Sequence, residues 1–107
     1  MAFLDVTDAT FEEIVLSSEV AVVAHFTAPW CGPCTTVEAH LLEVARDDGA
    51  RLRLVRVDID ANLDVPSRYG VLSIPTVIVF QGSEERERIV GAQPRRRYAA
   101  ALAAYLT

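Results

Sequence analysis

Lysine is absent from this chain of 107 residues: its ten basic residues are all arginines, and with fifteen acidic residues they leave a net charge of −5. The only arginine cluster, Arg95 to Arg97 in "PRRRY", reads as the solvated start of a helix, so the chain has no broad basic face for nucleic acid. Cysteine is almost as scarce, at two residues, which cannot by themselves complete a four-ligand zinc site. No apolar run approaches the roughly 20 residues that span a bilayer, and the opening "MAFLDVTDAT" lacks a basic segment followed by an apolar core of about 7 to 15 residues. These absences lead to the expectation of a soluble, cytoplasmic protein with no nucleic-acid or membrane partner. There is also no repeat, low-complexity tract or linker, and with 51% apolar residues the chain can bury one core as a single domain, 1–107.

What is present is an alternation of β-branched apolar runs with helical patterns. Strands are expected at "FLDV" (3–6), "VAVVAHF" (20–26) and "RLRLVRVDID" (51–60), with helices at "ATFEEIVLS" (9–17) and from Cys31 to about Asp48. A short helix, "ANLDVPSRYG" (61–70), is closed by Gly70. "PTVIVF" (75–80) and "ERIVG" (87–91) then read as a hairpin turning at "QGSE", and "PRRRYAAALAAYL" (94–106) reads as a last helix with Pro94 at its start. The order βαβαβαββα, with nearly continuous apolar strands, describes an α/β domain: a three-layer αβα sandwich around a central mixed sheet. Arg51, Arg53 and Arg56 suggest that the third strand has one wetter face.

Both cysteines fall in "FTAPWCGPCTT" (26–36), with a tryptophan in front. If the long helix begins at Cys31, its unpaired N–H groups and dipole favour the thiolate there and make Cys31 the nucleophile. Cys34, one turn on and deeper, stays neutral until it resolves a mixed disulfide. Cys31 should then be the more exposed sulfur. Residues three apart on a helix have Cα atoms about 5 to 6 Å apart, within the range a disulfide tolerates, and Pro33 suits a first helical turn. Three other readings compete. A metal site could draw only on His25 and His40 besides the cysteines, inert buried thiols would not need a helix start, and a permanent disulfide around so short a loop would stabilise little.

"WCGPC", followed by "DID", "YGVLSIPTVIVF" and a late "VGA", resembles the thioredoxin family over essentially the whole chain. The resemblance implies the thioredoxin fold and a thiol–disulfide oxidoreductase that reduces disulfides in protein substrates through Cys31 and Cys34. It also implies resetting by a thioredoxin reductase, no cofactor, no metal and a monomer. Ile74 and Pro75 would form the family's cis-proline loop, where the backbone of residue 74 pairs with an extended substrate segment; the sequence alone leaves Pro75 as a strand-opening proline. Trp30, Gly32, Pro33, Gly91 and Ala92 would form the flat surface that receives partner proteins.

The chain departs from the family pattern near the cysteines. His25 stands where thioredoxins usually carry a buried aspartate, Thr27 replaces a common aromatic, Thr35 a common lysine and Ala39 a helix-kinking proline, while Arg56 takes the place of a frequent lysine. Two readings of His25 stay open: a neutral core histidine, or the base that takes the Cys34 proton. An alternative function, a thioredoxin-like binding or chaperone module with weak redox activity, follows if the missing acid leaves the cysteines slow. An isomerase or oxidase of higher potential is a third reading.

Overall fold

The apolar runs pair into one five-stranded sheet in the computed structural model, which describes residues 2–46 and 52–106. Strands β1 (Leu4–Asp5), β2 (Ala21–Thr27), β3 (Leu52–Asp58), β4 (Thr76–Gln81) and β5 (Glu84–Val90) lie in the order β1-β3-β2-β4-β5. β3 runs parallel to both β1 and β2, whereas β4 is antiparallel to β2 and to β5. β2 is central and buried at every position, as its unbroken apolar run requires.

Alternation along the strands sends side chains to two cores. On one face Ala21, Val23, Leu54, Val77 and Val79 pack with Val37 and Leu41 of helix α1 (Gly32–Ala45) and with Tyr98 and Leu102 of helix α3 (Arg95–Leu102). On the other, Val22, Ala24, Phe26, Val57 and Phe80 pack with Phe11 and Val15 and with Val65 of helix α2 (Asp64–Arg68). Burying an aliphatic or aromatic side chain contributes about 1.5 to 3 kcal/mol, so these two layers carry most of the driving force for the fold.

Several expectations need correction. The 9–17 segment forms a π-helix over Glu12–Leu16, with the Ser17 N–H donating to the Glu12 carbonyl; the apolar spacing does not distinguish this from an α-helix. β1 is shorter than expected. β5 begins at Glu84, earlier than expected, because an edge strand tolerates the charged run "EERER". The arginines of β3 do not share a wet face: Arg53 and Arg56 are an odd number of residues apart, so they point to opposite faces. The expected helix end near Asp48 and the strand start at Arg51 lie outside the described residues.

Local chemistry explains the joints. Gly82 and Ser83, with φ of 61° and 67°, make the two-residue hairpin turn. α2 ends in Gly70 at φ 64°, where the Val71 N–H reaches the Pro66 carbonyl and the Gly70 N–H the Ser67 carbonyl. Its first N–H groups are capped from afar: Asp64 and Val65 both donate to the Asp8 carboxylate.

Candidate active site

Cys31 is the N-cap of α1, in extended backbone conformation, and Gly32 and Pro33 open the helix. Pro33 has no N–H to leave unpaired in that first turn. Cys31 and Cys34 are joined by a disulfide, with their Cα atoms 5.4 Å apart. Cys31 is 7% exposed against 2% for Cys34, which is the expected order, although both residues are buried in the disulfide form. Solvent reaches the pair through a cleft of about 480 Å³, which both cysteines line with Thr27, Thr35, Glu38 and Arg56.

Of the residues expected to receive partners, none lines this cleft. Trp30 is 68% exposed, and its indole N–H donates to Asp60 at 2.7 Å, which fixes the ring beside the cysteines without burying it. Gly32, Pro33 and Ala92 are exposed. The Ile74–Pro75 bond is cis, Ile74 is half-buried and Pro75 buried. Thr76 pairs with Phe26, so Pro75 sits next to the end of β2 that leads to the cysteines. Gly91, at φ 83°, donates its N–H to the Pro75 carbonyl at 2.8 Å. Leu72, 96% exposed, adds an apolar side chain to the same loop.

His25 is fully buried, on the α1 face of β2. Its Nδ1 lies 3.1 Å from Glu38 Oε2. Arg56, the direct register partner of His25 on β3, donates from Nε to Glu38 Oε2 and from Nη2 to Oε1, both at 2.7 Å, and from Nη1 to Asp5 at 3.0 Å. Phe3 lies over the Arg56 guanidinium and beside the His25 ring. Burial lowers the His25 pKa below its ordinary 6.5, and the Glu38 carboxylate offsets only part of that shift. For Glu38, burial pushes upward, but the hydrogen bonds and charge of Arg56, with a smaller contribution from His25, bring the carboxyl below its usual 4.5. The ground state is therefore a neutral imidazole beside an ionised carboxylate.

Sequence reasoning missed Glu38. Its signal was the spacing: Glu38 is four residues after Cys34, on the same helix face, and His25 lies opposite Arg56 on the neighbouring strand. The other histidine, His40, packs against Tyr98 of α3.

Comparison with known proteins agrees with this geometry. Residues 2–104 match the thioredoxin family model. The chain is 43% identical to thioredoxin 1 of Nostoc sp. over 94 residues, which is 88% of each chain. It is 46% identical to a thioredoxin of Streptomyces clavuligerus over 91 residues, 85% of this chain and 84% of that one. With the thioredoxin of Pyropia yezoensis it shares 34% identity over the full length of both.

Proposed function

We propose that this chain, which belongs to the thioredoxin family and is a thiol–disulfide oxidoreductase acting on proteins, uses Cys31 as its attacking thiol and Cys34 as its resolving thiol. The observation that carries the reading is the Cys31–Cys34 disulfide at the first turn of α1, where both cysteines line a cleft. The Cys31 thiolate attacks one sulfur of a substrate disulfide, and the other substrate sulfur leaves as a thiolate and takes up a proton. His25 then accepts the Cys34 proton, directly or through one water. The Cys34 thiolate attacks the Cys31 sulfur, closes the internal disulfide and releases the second substrate thiolate. Two electrons have passed to the substrate, and a thioredoxin reductase returns the pair to the dithiol.

Substrate proteins dock on Trp30, Gly32, Pro33, Gly91 and Ala92, with an extended segment pairing to the backbone of Ile74 beside Pro75. The chain works as a monomeric single domain, 1–107, in the cytoplasm, where it carries electrons for thiol homeostasis and binds neither nucleic acid nor membranes. Among the described residues no helix is long and apolar enough to cross a membrane.

Insulin reduction with dithiothreitol tests the reading. Turnover well above dithiothreitol alone, abolished in Cys31→Ser, is expected. A wild-type rate no better than the dithiothreitol background contradicts it.

A further inference from the structure

The buried pair on the α1 face of the sheet holds a proton-placement device. Arg56 spends two charge-assisted hydrogen bonds on the two oxygens of Glu38, which keeps that carboxylate ionised and able only to accept. The 3.1 Å contact between Glu38 Oε2 and His25 Nδ1 is then a hydrogen bond only if Nδ1 carries the proton. In a neutral imidazole this leaves Nε2 as a bare lone pair. Nε2 is buried and has no hydrogen-bond partner among the described residues. A buried acceptor without a partner is destabilising, so a purely structural histidine would gain by satisfying it.

We propose that Glu38 is a positioning residue that holds His25 in the Nδ1–H tautomer, reserving Nε2 to accept the Cys34 proton, while Arg56 holds Glu38 in place. The proposal rests on the reading of His25 as the base. Glu38 is suited to the role by position: it stands one helical turn from Cys34 on α1 and lines the same cleft, yet reaches across to the strand that carries His25. Among the described residues, the charged groups that face His25 are Glu38 from α1 and Arg56 from β3, and behind Arg56 stands Asp5 from β1; the β4 partner, Val77, is apolar.

In the resolving step the Cys34 S–H bond breaks and its proton goes to Nε2. The Cys34 sulfur forms its bond to the Cys31 sulfur, and the bond from Cys31 to substrate breaks, with the electron pair leaving on the substrate sulfur. The imidazolium, stabilised by the Glu38 carboxylate on its other side, gives its proton to that leaving thiolate and returns to the Nδ1–H form. The substrate disulfide has been reduced and the dithiol oxidised.

The test joins a spectroscopic signature to a rate. In ¹⁵N-labelled oxidised wild type near pH 7.5, His25 is expected to carry its proton on Nδ1; in Glu38→Leu the proton should move to Nε2, the form that free neutral imidazole favours. Finding the proton on Nε2 in wild type overturns the proposal, whatever the variants do. Single-turnover resolution of a Cys31 mixed disulfide should slow about 10- to 100-fold in Glu38→Leu, against the larger loss of about 10²- to 10⁴-fold expected on removing the base itself with His25→Ala. In the His25→Ala background, Glu38→Leu should add nothing, because Glu38 acts through His25. A further slowing there overturns the proposal but leaves His25 as the base. An unchanged resolving step in His25→Ala sinks the reading of His25, and the proposal with it.

Discussion

His25 and Arg56 stand directly opposite one another on neighbouring parallel strands, and both hydrogen-bond the same carboxylate oxygen, Glu38 Oε2. Glu38 reaches this strand pair from α1 and is shared between the imidazole and the guanidinium. Arg56 keeps the Glu38 carboxylate ionised and burial keeps the His25 imidazole neutral, an arrangement that suits the proposed role of His25 as proton acceptor.

Stability should fall on acidification, and the sign follows from direction alone. His25 and Glu38 both have folded-state pKa values below their ordinary 6.5 and 4.5, so the unfolded chain binds more protons than the folded one. The His25 contribution is full above about pH 6.5 and is lost as pH drops toward its folded pKa; that of Glu38 is lost further down, below about pH 4.5. In denaturant unfolding of the oxidised protein between pH 4.5 and 8, wild type should lose stability below pH 6.5 while His25→Leu stays flatter. Parallel curves would mean that His25 is not held neutral by burial.

The two carboxylates on Arg56 should differ in value. Glu38 is largely buried, at 19% side-chain exposure, and Asp5 is 78% exposed. Arg56→Met strips Glu38 of its charged partner and should cost about 1.5 to 3 kcal/mol of unfolding free energy. Asp5→Asn removes only a solvent-screened pair and should cost less than about 1 kcal/mol. Equal losses, measured at pH 7, would show that the buried network is no stronger than the surface contact.

The glycines should separate in the same way. Gly91 sits at φ 83° where its N–H holds the Pro75 carbonyl, so Gly91→Ala should cost about 1 to 2 kcal/mol from backbone strain, although an added Cβ would meet nothing closer than 3.7 Å. Gly32, in the first turn of α1 with open space around it, should accept alanine at no cost or gain up to about 1 kcal/mol. Thermal or denaturant unfolding of both variants checks the contrast; a neutral Gly91→Ala would contradict the assigned backbone conformation.

The strands of the sheet were legible because β2 and β4 are dense in β-branched and aromatic residues, and α1 was legible from the apolar spacing after Cys34. The first half of β5 was not, since "EERER" carries no apolar alternation and an edge strand needs none. The Asp8 cap on α2 and the Glu38 link to His25 were hidden for a different reason. They join residues 56 and 13 positions apart, and only the strand register brings them together. His25 itself was visible as a polar residue in an apolar strand, but its partner could be found only by asking which α1 residues share a face with Cys34.

The roles of the two thiols are tested most directly by trapping the mixed disulfide. Reduced Cys34→Ser, incubated with a disulfide-containing protein, should accumulate a covalent complex that non-reducing mass spectrometry maps to Cys31, because nothing remains to resolve it, while reduced Cys31→Ser should form almost none. A complex mapped to Cys34 in the Cys31→Ser variant, at a rate equal to that of the other variant, would contradict the account.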